Sequence, residues 1–141
     1  AFESFLGTEL SYADLGVVPA PAGATLLGEE RAGEQAAVKV EERPEGSGRV
    51  ARVVTWLEPA SGQPLRREYH DRADRLWKVQ TFEAVAAIHG IPTAQRVRVE
   101  DVQAGDGSEY RATRIAYGLP LPAELFDPAR LPQAADSPVW K

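Results

Sequence analysis

Two kinds of residue in this chain could do chemistry: a histidine beside an aspartate, and carboxylates in pairs. His70-Asp71 has the composition of a general-base dyad, and Glu29-Glu30 and Glu41-Glu42 are adjacent acids. Neighbouring residues on a β-strand point to opposite faces, so neither arrangement brings its two groups together. We therefore interpret His70 as a strand residue, Asp71 as the start of a turn, and the paired acids as a solvated rim.

Motifs that bind cofactors or activate nucleophiles do not occur in the sequence. There is no P-loop, no G-x-G-x-x-G and no G-x-S-x-G, and no helix pattern follows Gly46-Ser47-Gly48. The absence of cysteine excludes disulfides, zinc-thiolate sites and thiol nucleophiles. We predict a protein that is not an enzyme, with no catalytic residue, metal site or cofactor. A hydrolase that uses His70 or the paired acids is the weakest alternative.

The composition is that of one globular domain. The chain has 141 residues, of which 43% are hydrophobic and 26% charged, so it can bury a sizeable core. A formal net charge of -5 argues against nucleic-acid binding, which usually needs a basic excess.

No apolar run approaches the ~20 residues of a membrane helix. No signal peptide is visible, and the absence of methionine predicts a processed or excised product.

Turn residues punctuate the chain from residue 25 onward. Glycine supplies positive φ in tight turns, and Asp and Ser bond their own backbone there. Between these turns lie runs of β-branched and aromatic residues in partial alternation, which predict an antiparallel all-β meander. The expected strands are Thr25–Arg31, Glu34–Arg43, Arg49–Glu58, Pro64–Asp71, Arg75–Ala87, Pro92–Gln103 and Ser108–Gly118.

Two segments are less regular. The alanines of Phe82–Ile88 favour helix, but His89-Gly90 is typical of a hairpin turn, so we predict a strand. Pro122–Phe126 predicts one helical turn with proline near its start, and Asp127–Lys141 a strap or frayed end. The single predicted domain, 1–141, comprises a connecting segment (1–24), a meander (25–118) and a C-terminal strap (119–141).

Large apolar side chains are in surplus in the predicted strands. Ordinary core packing and the lining of an apolar cavity are about equally good interpretations. Val50–Leu57 carries apolar groups on both faces, which predicts core on one side and core or ligand on the other. The candidate cavity residues are Val54, Trp56, Leu65, Tyr69, Trp77, Val79, Val97, Val99, Ile115 and Tyr117.

The sequence also resembles a known family. Its opening stretch Phe5–Leu15, FLGTELSYADL, is similar to the F-x-G-[ST]-[DE]-[FL]-S-Y-x-D-L segment of the bacterial outer-membrane lipoprotein-sorting family, the LolA-like periplasmic carriers. Weaker matches follow in order as far as about residue 131. They are Leu26–Glu30, Val53–Glu58, Gln63–Arg66, Ile88–Thr93, where the family usually has Asp at the position of His89, and Gly118–Phe126.

This resemblance implies an all-β fold with minor α, an unclosed antiparallel half-barrel of about seven strands around an apolar cavity. It implies a non-enzymatic carrier of lipid or lipoprotein acyl chains in the periplasm of the bacterial cell envelope. Family members have strands before the opening segment, so the chain is expected to be the C-terminal two-thirds of such a protein. Phe5–Leu15 would then connect two halves, with Tyr12 and Leu15 against the sheet and Ser11 and Asp14 closing a turn.

Two further expectations concern partners. An incomplete half-barrel has an unpaired edge, so we predict a dimer or strand exchange through exposed sheet edges.

The alternative function is an envelope protein–protein docking module that uses an exposed apolar sheet face. A deep enclosed apolar volume favours the carrier, and a flat exposed patch favours the docking module. Which face lines a cavity depends on register, because a shift of one residue moves a strand's side chains to the other face.

Overall fold

The computed structural model describes residues 6–11, 23–44, 48–127 and 129. In these residues seven strands precede a single 3₁₀ turn at Ala123–Phe126. The strands are β1 Thr25–Ala32, β2 Gln35–Glu42, β3 Val50–Leu57, β4 Pro64–Asp71, β5 Leu76–Ile88, β6 Ile91–Asp101 and β7 Asp106–Arg111. The predicted helical turn near residue 122 is confirmed.

The sheet is a meander in which each strand pairs antiparallel with the next. The order is β1-β2-β3-β4-β5-β6-β7, so β1 and β7 lie at the two ends and the sheet is unclosed. This confirms the predicted fold class, an antiparallel sheet with little helix. Some expectations fall outside the described residues. They concern Tyr12, Asp14 and Leu15, the Gly46-Ser47 part of the predicted Gly46-Ser47-Gly48 turn, and the C-terminal strap beyond residue 129.

The longest hairpin joins β5 to β6. Its pairing continues to Ile88 opposite Ile91, which confirms the predicted strand over the alanine-rich segment. His89 and Gly90 have φ of 50° and 79°. Positive φ at both central residues is the geometry of a type I′ turn, whose twist matches that of the flanking strands.

The last strand is shorter than predicted. β7 ends at Arg111 rather than Gly118, so the predicted strand end is wrong. Alternation of side chains does not require a continued strand: after Arg111 one more backbone hydrogen bond joins the Ala112 N–H to the Gln95 carbonyl at 2.9 Å, and a side chain makes the next contact. The Tyr117 hydroxyl lies 2.9 Å from Oγ1 of Thr93 in β6. Ile115 and Tyr117 therefore lie in the segment that follows the sheet.

One face of the sheet, which we call the ion-paired face, carries rows of charged side chains. Residues directly opposite each other on neighbouring strands share a face. Lys39 pairs with Glu30 at 2.9 Å, and Arg66 with Glu68 at 2.8 Å. A row across six of the seven strands on this face comprises Lys39, Trp56, Arg66, Thr81, Arg98 and Glu109.

The opposite face, which we call the covered face, is crossed by the segment 6–11. The Glu9 N–H donates to Ser108 Oγ at 3.0 Å, and Lys78 Nζ lies 2.9 Å from the Glu9 carboxylate. Leu10 and Ser11 of this segment are buried. The central row of the covered face comprises Val40, Thr55, Arg67, Gln80, Val99 and Ser108.

The buried apolar residues form a cluster on each face. Ala37, Val54, Trp56 and Leu65 pack together on the ion-paired face. Val50, Val53 and Tyr69 form the cluster on the covered face, with Trp77 packed against it. The sheet therefore has apolar groups on both sides, as the sequence of β3 predicts.

Candidate functional site

The covered face combines a buried apolar centre with half-buried aromatic and aliphatic side chains. Val99 is 0% exposed and Tyr69 is 4% exposed. Phe82 of β5 lies opposite Val97 of β6, and both are half-buried. Apolar side chains beneath a covering segment are the usual lining of a binding site for a small apolar ligand. This face is the candidate functional site.

Polar side chains interrupt the apolar surface at its middle. Arg67 Nε donates to Thr55 Oγ1 at 3.2 Å, and Arg67 Nη1 donates to Gln80 Oε1 at 3.5 Å. The Tyr69 hydroxyl donates to the same Gln80 oxygen at 3.2 Å. The Arg67 guanidinium carbon also lies 5.8 Å from the centre of the Phe82 ring. A cation and an amide thus lie among the apolar groups of the covered face.

The ten candidate cavity residues are divided between the two faces. Pairing and packing place Val54, Trp56, Leu65 and Val79 on the ion-paired face. Four others lie on the covered face: Tyr69, Trp77, Val97 and Val99. Ile115 and Tyr117 follow β7, and Tyr117 contacts the covered face at Thr93. A cavity bounded by one face of the sheet takes only one of the two sets of four.

His70 and Asp71 are engaged with different partners. The His70 ring has Nδ1 2.9 Å from Arg52 Nη2 and Nε2 3.6 Å from Glu68 Oε2. The Asp71 carboxylate instead accepts from the Arg75 guanidinium at 2.8 Å. The adjacency of these two residues therefore does not create a dyad. His89, the other histidine, is exposed in its turn.

Asp101 positions the Trp77 ring at one end of the covered face. Its carboxylate accepts from Trp77 Nε1 at 2.6 Å and from the backbone N–H of Gln103 and Ala104 at 2.9 and 2.8 Å. Burial raises the pKa of Asp101, but these donors and the nearby Lys78 cation outweigh it and hold the pKa below its usual range. The ionised carboxylate therefore fixes both the turn and the indole.

Two further features concern metal ions and membranes. No cluster of three or more histidine, aspartate or glutamate side chains able to hold a metal ion occurs in residues 6–11, 23–44, 48–127 and 129. Within the same residues, no helix has the length and apolar character needed to cross a membrane.

Arg67 and Gln80 are the site residues that sequence reasoning missed. The candidate set contained only apolar and aromatic residues, so charged and amide side chains were passed over. A signal was nevertheless present, because Arg67 is two residues from Tyr69 and Gln80 is two residues from Phe82. The strand period of two places each polar residue on the face of its aromatic neighbour.

Solved structures share the fold of this chain. An outer membrane lipoprotein-sorting protein domain from Vibrio parahaemolyticus has a TM-score of 0.81 and 23% identity, and the match covers 89% of this chain and 55% of that one. A DUF1329 family protein from Desulfovibrio piger has a TM-score of 0.79 and 26% identity, with 92% and 56% covered. A LolA superfamily protein from Nitrosomonas europaea has a TM-score of 0.55 and 19% identity, with 74% and 48% covered. The chain thus spans about half the length of these proteins.

The unclosed meander with one covered face defines a protein with a LolA-like fold, which confirms the resemblance found in the sequence. Residues 2–133 match the model of a family described as "Uncharacterized protein", and the chain belongs to that family. No curated protein matches the chain in sequence.

Proposed function

We propose that this protein is a non-enzymatic binder or carrier of lipid or lipoprotein acyl chains in the periplasm of the bacterial cell envelope. The observation that carries the proposal is the covered face, to which four strands contribute apolar side chains and on which the segment 6–11 contacts Ser108 and Lys78. The likeness of the fold to an outer membrane lipoprotein-sorting domain supports the same assignment.

The energetics of acyl binding suit such a face. An acyl chain gains ~0.8 kcal/mol for each buried methylene, so an apolar surface needs few polar contacts to hold it. The proposed ligand contacts are Tyr69, Trp77, Val97 and Val99, with Ile115 and Tyr117 contributed by the segment after β7. Val54, Trp56, Leu65 and Val79 then serve as the core of the ion-paired face.

The test is native mass spectrometry of the protein purified from a bacterial envelope, followed by titration with a fluorescent fatty acid. Two variants of neighbouring residues provide a matched pair. Phe82→Ala changes the covered face, and Thr81→Ala changes the ion-paired face. We expect bound lipid in the native spectrum, weaker fatty-acid binding by Phe82→Ala, and unchanged binding by Thr81→Ala.

The contrary result is equally clear. A protein that comes out of the envelope without lipid and takes up no fluorescent fatty acid is not an acyl carrier. Equal losses in the two variants would place the ligand somewhere other than the covered face. Melting curves of both variants show whether a loss of binding reflects a loss of folding.

A specific observation also favours the docking module as a second candidate. β4 pairs with β5 only as far as Thr81, and β7 pairs with β6 only from Arg96 onward. The rest of the β5–β6 hairpin projects beyond the neighbouring strands. Val85 and Ile91 in this projection are 44% and 45% exposed. Exposed apolar groups on a projecting hairpin are typical of a protein contact.

The docking module is tested with a Val85→Lys, Ile91→Lys double variant. If the hairpin docks to an envelope protein, cross-linking in cells gives an adduct with the parent protein that the double variant loses. Fatty-acid binding by the double variant should remain that of the parent protein. Identical cross-linking patterns would remove the docking module from consideration.

A further inference from the structure

Gln80 has a buried amide group with an unused donor. The side chain is 0% exposed, and its Nε2 has no hydrogen-bond partner. The orientation of the amide is fixed, because its oxygen accepts from both the Tyr69 hydroxyl and Arg67 Nη1. A buried polar group without a partner is costly, and native proteins rarely leave one unsatisfied. The Nε2 donors therefore need an acceptor that residues 6–11, 23–44, 48–127 and 129 do not supply.

Arg67 lies beside Gln80 and has no carboxylate partner in the part of the chain that the structure describes. Among the described residues, no carboxylate forms an ion pair with Arg67, and its hydrogen bonds go to Thr55 and Gln80. Its sequence neighbour Arg66, on the ion-paired face, lies 2.8 Å from Glu68. Arg67 is half-buried among apolar groups, where a charge without a counter-ion is destabilising.

Arg67 and Gln80 both present hydrogen-bond donors, and they do so from adjacent strands. Arg67 and Gln80 are directly opposite each other in β4 and β5. The guanidinium N–H groups and the Gln80 amide N–H groups can only donate. A ligand that satisfies both must therefore offer an oxygen acceptor, and a negatively charged one would also neutralise the cation.

We propose that Arg67 and Gln80 anchor the polar head of the acyl ligand by donating hydrogen bonds from the guanidinium and from Nε2 to a carboxylate or ester carbonyl oxygen. This inference rests on the proposed acyl-binding function and adds the orientation of the ligand to it. The head lies at the middle of the covered face. Phe82 lies next to Gln80 along the covered face of β5, and Val99 lies opposite Gln80 on β6, so both are within reach of a ligand held by the anchor.

Three ligands with the same eighteen-carbon chain and different head groups isolate the contribution of the head group to affinity. Oleic acid presents a carboxylate, methyl oleate an ester carbonyl, and oleyl alcohol a hydroxyl. The dissociation constant of each is measured for the parent protein, Arg67→Gln, Gln80→Leu and the control Arg66→Gln. Charged hydrogen bonds of this kind correspond to a change in affinity of about tenfold or more.

We expect the parent protein and Arg66→Gln to bind oleic acid at least about tenfold more tightly than oleyl alcohol. Arg67→Gln should lose this preference while it keeps its affinity for the alcohol. Methyl oleate identifies the source of the oxygen. Binding as tight as that of oleic acid indicates an ester carbonyl ligand, and binding as weak as that of the alcohol indicates a free carboxylate.

Equal affinity of the parent protein for acid and alcohol would overturn the anchor and leave the acyl-binding function standing. The same result would assign water, rather than a ligand, to the Gln80 amide. Binding of none of the three ligands would overturn both the anchor and the function. Gln80→Leu changes a fully buried residue, so its melting curve is compared first. The Arg67→Gln and Arg66→Gln pair decides the question if Gln80→Leu does not fold.

Discussion

Adjacent residues in this sheet have different roles because they belong to different faces. Arg66 and Arg67 share a residue type and a strand, but Arg66 pairs with Glu68 and Arg67 bonds to Thr55 and Gln80. Arg66 is half-exposed on a face rich in counter-charges, where an ion pair contributes little to stability. Arg67 is among apolar groups, where its unused donors favour an external acceptor.

Trp56 stabilises the ion-paired face. The residue is 7% exposed, Lys39 lies 4.7 Å from its ring centre, and its Nε1 is 3.3 Å from Glu30 Oε2. We expect Trp56→Ala to lower the free energy of unfolding by about 3–5 kcal/mol in urea titrations. Trp56→Phe keeps most of the ring and should cost about 1 kcal/mol. A loss below about 1 kcal/mol for Trp56→Ala would contradict this assignment.

Asp71 makes the stability of the fold dependent on pH. Burial raises the pKa of its carboxyl, but hydrogen bonds from the backbone N–H and guanidinium of Arg75, the Gln103 amide and the Ala73 N–H outweigh burial and lower the pKa. A pKa that is lower in the folded chain stabilises it above the unfolded pKa of about 4. This contribution is lost as the pH falls towards the folded pKa.

Asp71→Asn should therefore melt at a lower temperature than the parent protein at pH 7. The difference should shrink as the pH falls below about 4, because the parent protein then loses the same interaction. Asp106→Asn, at an exposed position, is the control and should follow the parent protein at every pH. Thermal melts of the three proteins from pH 3 to 7 measure this, and a difference independent of pH would refute the role of the Asp71 carboxylate.

At the scale of the elements, the sequence predicted the strands better than it predicted their faces. Turn residues and alternation located all seven strands. Register irregularities then changed the facing of particular residues. By simple alternation Leu65 and Tyr69 share a face, yet a shift between Trp56 and Leu57 lets Leu65 pack with Trp56, while Tyr69 packs with the opposite cluster. One irregularity of this kind reassigns a side chain without leaving a mark in the local pattern.

A register shift also places Trp77 and Val79 on opposite faces of the sheet. Their spacing of two predicts one face, but the register shifts where β4 Tyr69 and His70 pair with β5. Trp77 consequently packs with Tyr69, and Val79 lies opposite Glu68. Bulges depend on how two strands pair, which a single strand's sequence does not encode. The site residues Arg67 and Gln80 were missed for a different reason, since polar groups in an apolar row become visible only when neighbouring strands are aligned.

The β5–β6 hairpin gives a direct test of turn chemistry. Gly90 has φ of 79° and His89 has φ of 50°. Gly90→Ala should lower the free energy of unfolding by about 1–2 kcal/mol, because an alanine Cβ disfavours that backbone. His89→Asn should leave stability equal or slightly raised, because asparagine tolerates the left-handed region. Urea titrations measure both, and a neutral Gly90→Ala would contradict the type I′ turn.

At the scale of the whole molecule, β1 is an edge strand of the sheet that the described residues form. In the described residues β1 pairs only with β2, and Leu26 and Leu27 are 66% and 48% exposed. Such an edge is a template for pairing with another chain. We propose dimerisation or strand exchange through β1, and we expect light scattering to show a mass that rises with protein concentration.

A Leu26→Lys, Leu27→Lys double variant should shift this association to higher concentration, because charges on an edge strand oppose pairing. Val102→Lys, at a residue 45% exposed in the turn between β6 and β7, is the control and should associate like the parent protein. A monomer at every concentration for the parent protein would exclude the β1 contact.

The central claim, that an acyl chain binds on the covered face, is tested most directly by tryptophan fluorescence with a dibrominated fatty acid, which quenches only near contact. In a Trp140→Phe background, Trp56→Phe leaves Trp77 on the covered face, and Trp77→Phe leaves Trp56 on the ion-paired face. The account predicts saturable quenching of Trp77 and none of Trp56. Quenching of Trp56 with Trp77 unaffected would contradict it and would place the ligand on the ion-paired face.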